Sequence, residues 1–411
     1  MTSSAVAAPR RKHQPEWPDG SLDARALAEA GWRPVPIRQF LFKVFTRCNL
    51  NCDYCYVYEL ADQSWRSKPG IMSPEVVAAS AARIAEHAVA HDLDEVRIIL
   101  HGGEPLLAGR EFLEHLTSSI ATALPSSCRA TFGMQTNGVL VTKDIIDLCA
   151  RLQLSLGISL DGDQDANDRH RLYRNGNSSY AQVIEAIERL LASEHRDLFT
   201  GILCTIDLAN DPVATYDHLV SLGAPAIDFL LPHGNWTEPP PRWTDASATP
   251  HADWLIPIFD RWFDAPRREV RVRYFEEIMN LVLGGRSQVE TIGITPATLV
   301  VIETNGAIEQ VDSLKSAFDG AAETGLNVFD SSFDDALATP GMAARQIGAE
   351  ALCQQCRDCP LATTCGGGYY PHRYRAGRGF LNPSVYCADL YKLISHIKAR
   401  VETALVARSR S

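Results

Sequence analysis

No apolar run in the 411 residues approaches the ~18 to 20 that a membrane span needs, and the longest uncharged stretches, such as Thr131 to Thr142, carry Gln, Asn and Gly. The chain is therefore not expected to cross or sit in a membrane. An excess of positive charge is also missing. Lys and Arg number 39 against 50 Asp and Glu, a formal charge of -11, so nothing draws the whole chain toward nucleic acid or anionic lipid. Neither class is expected as a partner. The N-terminus lacks the apolar core of a secretion signal, because Arg10, Arg11 and Lys12 lead into Pro15, Glu16 and Asp19. A cytoplasmic protein is expected. Beyond the first 35 residues there is no low-complexity tract, and no internal repeat is visible anywhere. What is present is an ordinary globular composition, 45% hydrophobic and 22% charged, in a chain long enough for about two or three domains.

The eleven cysteines are unevenly spread. Cys128, Cys149 and Cys204 stand alone, the last two in apolar runs where a free cysteine acts as a small hydrophobe. The other eight form two groups: Cys48, Cys52 and Cys55, then Cys353, Cys356, Cys359, Cys365 and Cys387. In a reducing compartment such grouping points to metal ligands rather than disulfides.

Between the groups, short β-rich runs alternate with longer amphipathic ones, the pattern of parallel strands and crossover helices. Six strand candidates begin at Phe40, Val96, Ala130, Leu154, Thr200 and Ile227. A helix opens with Ser73 as cap and Pro74 in its first turn, then carries Val76, Val77, Ile84 and Val89 at helical spacing. Others begin near Thr142 and Ser179. Six such units in series predict an α/β fold, an open or partial parallel barrel with its chemistry on the loops after the strands. Pro239, Pro240 and Pro241 interrupt the pattern and read as a stiff linker. A hairpin turning at Asn305-Gly306 comes next, then a loop-rich, cysteine-rich module. The expected division is 1–36 as a flexible extension, 37–235 as the barrel, 236–295 as linker and bridging helices, and 296–411 as the cysteine-rich domain with a C-terminal helix.

Cys48-x3-Cys52-x2-Cys55 lies directly after the first strand. Structural zinc normally closes its shell with four ligands, whereas three thiolates on a [4Fe-4S] cluster leave one iron open to a cosubstrate. Zinc stays possible if a fourth ligand such as His101 arrives from another strand end. With Tyr54 just before the third cysteine, the motif closely resembles the signature of the radical S-adenosylmethionine (SAM) superfamily. That resemblance implies a three-cysteine [4Fe-4S] cluster that chelates SAM and cleaves it reductively to a 5'-deoxyadenosyl radical. Further segments resemble the family's SAM contacts. They are HGGEP with Gly102, Gly103 and Glu104, QTNG with Asn137, SLDG to NDRHR with Ser159 and Arg171, and LLP with Leu231. In that family these loops meet the SAM amino group, ribose, carboxylate and adenine.

The later group, C-x2-C-x2-C-x5-C with Cys387 beyond it, suits zinc or iron-sulfur by ligand type alone. In a radical SAM chain it resembles the SPASM extension of peptide-modifying enzymes. The resemblance implies at least one auxiliary [4Fe-4S] cluster, on Cys356, Cys359, Cys365 and Cys387, with Cys353 as a further candidate ligand. It also shows a departure. No cysteine lies between Cys204 and Cys353, and Tyr369 stands where the pattern's next cysteine would be, so an inner auxiliary cluster lacks its usual ligands.

The segments TRCNLNCDYCYVYE, ETNGAIEQVDSLKSA and CGGGYYPHRYRAGRGFLNPSVYCADL are similar to those of FxSxx-type peptide maturases. That likeness implies a ribosomal precursor peptide as substrate, a carbon-carbon crosslink (cyclophane) between an aromatic ring and a side-chain β-carbon, and a flavodoxin- or ferredoxin-type electron donor. Formylglycine formation on sulfatases and thioether formation are the alternatives within the class. A metal- and peptide-binding protein without turnover is the alternative outside it. Arg373, Arg375 and Arg378 form a local basic run that could take a peptide carboxylate or equally be a solvated face.

Overall fold

The computed structural model describes residues 16–409. The six expected strands form, as β1 (Gln39–Phe45), β2 (Glu95–Gly102), β3 (Arg129–Thr136), β4 (Leu154–Ser159), β5 (Phe199–Thr205) and β6 (Ala226–Leu230). They pair in sequence order and all in parallel. Crossover helices cover the sheet, so its strands are apolar on both faces; β1 has five consecutive buried residues. One of these is Lys43, a charge in a strand that is otherwise apolar but for Gln39.

The helix Pro74–Ala90 starts where its sequence signals place it, with the Ser73 hydroxyl accepting from Val76 N–H and Pro74 in the first turn. Val76, Val77 and Ile84 are buried, but Val89 is exposed and Ala88 and His87 take its place on the inner face. The spacing identifies the helix and misplaces the end of its apolar stripe. Helices Lys143–Arg151 and Tyr180–Ala192 begin at their expected starts.

The sheet does not end with the barrel. Strand β7 (Arg271–Val272) extends it beyond β6, while β8 (Leu299–Ile302) pairs in parallel with β1 on the other side. Strands β9 (Ala307–Glu309) and β10 (Glu323–Asn327) then continue antiparallel, giving ten strands in the order β10-β9-β8-β1-β2-β3-β4-β5-β6-β7. The hairpin between β8 and β9 turns as expected, with Gly306 at φ +81° and its N–H bonded to Glu303 O at 2.8 Å. The segment after residue 296 thus shares the barrel's sheet.

The N-terminal extension, expected to be flexible, and the proline-bearing linker, expected to be stiff, are both tied to the rest of the chain. Of the N-terminal extension, residues 1–15 lie outside the described residues. Residues 16–36 are docked, because the Glu16 carboxylate accepts from Gly377 and Gly379 N–H (2.6 and 2.9 Å) and Phe380 N–H bonds to Trp17 O. The proline-bearing linker is anchored at its entry, where Asn235 donates to Ser316 O at 3.1 Å and Trp236 Nε1 to Pro383 O at 2.7 Å. It straps the barrel to the cysteine-rich segment. The C-terminal helix Cys387–Ser409 lies on Pro250–Asp264, with His396 and Arg400 both meeting Asp260. No described helix is long and apolar enough to cross a membrane.

Candidate functional site

The loop after β1 carries Cys48, Cys52 and Cys55, and all three line one cavity of about 200 Å³ at the C-terminal ends of the strands. The loop is strapped down by Asn51 N–H to Leu172 O (2.8 Å) and by the side-chain amide of Asn137, which donates to Asn49 Oδ1 at 2.7 Å and approaches Cys48 Sγ at 3.7 Å. Burial pushes the Cys48 thiol up to about 11 and the Cys52 thiol up to about 12, so neither is an ionised nucleophile at neutral pH. Such thiols ionise when a cationic group binds them.

Gly102 and Gly103 line the same cavity, but close approach of a ligand is not what makes them glycine. A Cβ on Gly102 would stand 2.3 Å from Phe45 O, and one on Gly103 would stand 1.9 Å from Tyr58 Oη and 2.3 Å from Arg47 O. Both positions are needed for the cysteine loop to lie on the end of β2. Gly103→Ala should therefore displace that loop, and iron bound at the three cysteines after reconstitution should fall to under about half of wild type.

Glu104, expected as a cofactor contact, has its carboxylate engaged within the protein. It is fully buried behind the cavity wall, and its carboxylate accepts from Leu106 N–H (3.0 Å), Thr136 Oγ1 (2.8 Å) and Asn137 N–H (2.8 Å). Burial raises its pKa against those bonds. Its work is to fix the loop that carries Asn137. Ser159 lines the cavity with its hydroxyl accepting from Gln135 Nε2 at 2.8 Å, and Leu231 lines it after β6.

Tyr54, Asp161 and Arg171 form a buried chain: Tyr54 donates to Asp161, Arg171 donates to Tyr54 Oη at 2.9 Å, and Asp161 also accepts from Thr205 N–H at 2.9 Å. Arg171 is 7% exposed and faces the cavity, and its Nε has no partner. A buried guanidinium with a spare donor suits the carboxylate of an amino-acid ligand.

The sulfurs discriminate among metals. Around a single zinc, Zn–S bonds of about 2.3 Å bring sulfurs within ~4 Å of one another. Among the described residues, only His87, His91 and Asp334 have three donor atoms all within 4.8 Å, so neither cysteine group is gathered for one ion. Wider spacing suits a multi-iron cluster. The His87 group is itself a hydrogen-bonded clasp. His87 Nε2 accepts from Ile37 N–H at 3.0 Å, so Nδ1 carries the proton, 3.1 Å from Asp334 Oδ1, and His91 Nε2 meets the same oxygen at 2.8 Å. A metal at His87 Nδ1 would force a proton onto Nε2, against Ile37 N–H.

Cys356, Cys359, Cys365 and Cys387 line a second cavity of about 610 Å³. Cys353 is beside it rather than in its wall, hydrogen-bonded to Cys356, which with other neighbours brings its thiol down to about 6. Arg373 leaves the basic run. It is buried, donates to Gly366 O and Gly368 O (2.5 and 2.6 Å), and places a cation beside these cysteines. Arg375 and Arg378 remain exposed.

A third cavity, of about 240 Å³, lies between the other two. It shares Tyr56, Leu230, Leu231 and His233 with the three-cysteine cavity and Leu390 with the four-cysteine one. Asp312 reaches it, its carboxylate bound by Lys43 Nζ at 2.9 Å and Tyr56 Oη at 2.7 Å. Burial alone would raise that carboxyl, but Lys43 and His101 hold it well below the usual carboxylate range. Lys43, Tyr56, His233 and Asp312 are absent from the candidate ligands drawn from the sequence, and His101, weighed there only as a fourth zinc ligand, instead stands 3.9 Å from Asp312. Lys43 alone gave a sequence signal, a charge inside an apolar strand.

Residues 42–218, the part of the chain that holds β1 to β5 and the three-cysteine loop, match the model of the Radical SAM superfamily. The barrel has the radical SAM α/β fold, and the chain is an enzyme. Over 379 residues the enzyme is 25% identical to the serine-type anaerobic sulfatase-maturating enzyme of Klebsiella aerogenes, spanning 91% of this chain and 88% of that one. Its fold resembles anSMEcpe with bound AdoMet and Cp18Cys peptide (TM-score 0.74, 19% identity, 90% and 99% of the two chains). It also resembles Streptococcus suis SuiB bound to precursor peptide SuiA (TM-score 0.56, 13% identity, 88% and 78%). The radical SAM fold implies one [4Fe-4S] cluster and SAM, and the three part-buried thiols and spare Arg171 donor fit that pair.

Proposed function

We propose that this radical SAM enzyme oxidises a ribosomally made precursor peptide, joining an aromatic ring to a side-chain β-carbon. When bound, the cluster and SAM supply a radical that removes one hydrogen atom from an unactivated carbon. The remaining work falls to the chain. Cys48, Cys52 and Cys55 would hold the cluster, while Arg171 takes the SAM carboxylate and Ser159, Asn137 and Leu231 border the rest of the cosubstrate. Tyr54 holds Arg171 in place, and Gly102, Gly103 and Glu104 shape the wall. Leu50, Val57, Leu203, Leu230, Leu231 and Pro232 give the cavity an apolar side, which helps keep water from a reactive intermediate.

The observation that carries this reading is the order of the cavities. Three thiols lie on one side of a central chamber and four on the other, so a substrate in the chamber lies between a site of oxidation and a site able to take an electron. Cys356, Cys359, Cys365 and Cys387 would bind an auxiliary [4Fe-4S] cluster there, with Arg373 offsetting thiolate charge. A flavodoxin- or ferredoxin-type protein would reduce the first cluster. The likeness to a sulfatase-maturating enzyme over 91% of the chain favours formylglycine formation as the second reading.

Co-expression with a short candidate precursor peptide ending in a Phe-x-Ser-like motif tests this. A crosslinked product is two hydrogens lighter, resists fragmentation between the joined residues and does not react with hydrazides. A hydrazide-reactive aldehyde instead would establish the second reading.

A further inference from the structure

The central cavity has features that the proposed reaction leaves unused. Tyr369 stands where the SPASM pattern has a cysteine, and its hydroxyl meets that of Ser313. Beside it is open volume of about 240 Å³, walled by Tyr56, Phe229, Tyr274 and Tyr369 and by the imidazoles of His233 and His372. The rings are close, with His233 4.8 Å from Tyr56 and 5.9 Å from His372 between centroids.

Size and charge limit what can enter. A cavity of about 150 Å³ already accepts a benzene ring, so this one is far too large for a lone hydroxymethyl or thiol and large enough for a substituted ring. A charged side chain would find no partner. Asp228 is matched by Arg273 at 2.9 Å and Asp312 by Lys43 at 2.9 Å, so each carboxylate in the wall already has its cation. The unmatched groups are neutral. His233 Nδ1 and His372 Nε2 are buried without partners, and burial brings the His233 imidazole down to about 4 and holds that of His372 well below the usual histidine value, so both rings are uncharged at neutral pH. Of the four residues at the seam with the three-cysteine cavity, two are leucines and Tyr56 is committed to Asp312. His233 is the uncommitted polar group there.

We propose that this cavity is the slot for an aromatic side chain of the substrate bearing a hydrogen-bond donor, a phenol or an indole, which His233 accepts. The slot rests on the peptide-oxidation reading for its biological ligand, but its chemistry can be measured without a peptide or turnover.

Anaerobic calorimetric titration of the reconstituted full-length protein with p-cresol and with toluene tests it. p-Cresol should bind about fivefold or more tighter than toluene, the effect of one hydrogen bond in a buried site. His233→Leu should bring the two ligands within about twofold of each other, and His233→Gln, which keeps an acceptor, should retain most of the preference. Thr291→Phe, at the cavity's edge, should abolish binding of both, with melting curves confirming that each variant is folded. Absent p-cresol binding, equal affinities in the wild type, or undiminished binding in Thr291→Phe would overturn the slot. A cresol preference in a protein whose peptide product proves to be an aldehyde would overturn the crosslinking reading alone.

Discussion

Cys52→Ala should leave a folded protein that forms no 5'-deoxyadenosine above background when reduced anaerobically with SAM, and should lower bound iron by about four per chain. The effect is total rather than graded because the three thiols act as a set. Each is part-buried, and desolvation holds Cys48 and Cys52 protonated until a cluster binds, so two thiols offer neither the charge nor the geometry to retain it. The fold survives because Cys52 lies on a loop whose anchors, Asn51 to Leu172 and Asn137 to Asn49, do not involve its sulfur. Wild-type protein should hold about eight irons, one cluster for each cysteine-lined cavity. About twelve would mean that a further cluster is bound without the cysteines that an inner site normally uses. Cys387→Ala should behave differently, losing the second set of irons while still cleaving SAM. The two variants together separate the site that starts the reaction from the site that accepts its electron.

Much of this was legible in the sequence, for identifiable reasons. The six barrel strands lie under crossover helices, so each carries a short, mostly apolar run flanked by turn residues, broken in β1 by Lys43 and in β2 by Arg97. The caps at Ser73 and Thr142 are local signals that tertiary context had no reason to override. The cysteine spacing was legible because ligands close in sequence must share a loop. Roles inside the loops were harder to read. Gly102 and Gly103 suggest ligand approach from sequence, yet what a Cβ would meet is the backbone of the neighbouring loop. Glu104 has the position expected of a ligand contact and is consumed by three internal hydrogen bonds. The extension of the sheet by β8 was illegible because pairing between Gln39–Phe42 and Leu299–Ile302 joins segments about 260 residues apart with no local trace. The central chamber was illegible for the same reason, since its walls come from the cysteine loop, from β6, from the loop after β9 and from the CGGGYY segment.

Lys43 shows what a local anomaly can signal, and its removal should carry a large stability cost. It is 3% exposed and pairs with Asp312, itself 4% exposed. Lys43→Met should destabilise the protein by about 3 to 5 kcal/mol, because the carboxylate left behind is buried with only the Tyr56 hydroxyl and, at 3.9 Å, the uncharged His101 ring beside it. For a chain of this length that is a fall in Tm of roughly 4 to 6 °C by scanning calorimetry. Lys43→Met with Asp312→Asn should recover most of the loss, since a neutral amide needs no counter-charge. The pH dependence gives an independent check. In the wild type the Asp312 pKa is depressed on folding, so the pair contributes stability above the unfolded value near about 3.9 and loses it as pH falls through the lower folded value. Without Lys43 burial dominates and the sign reverses: the folded carboxyl is raised, and stability is lost as pH rises through it. The deficit of Lys43→Met against wild type should therefore be smaller at pH 5 than at pH 7. An equal deficit at both would mean that Lys43 acts through packing of its aliphatic stem rather than through its charge.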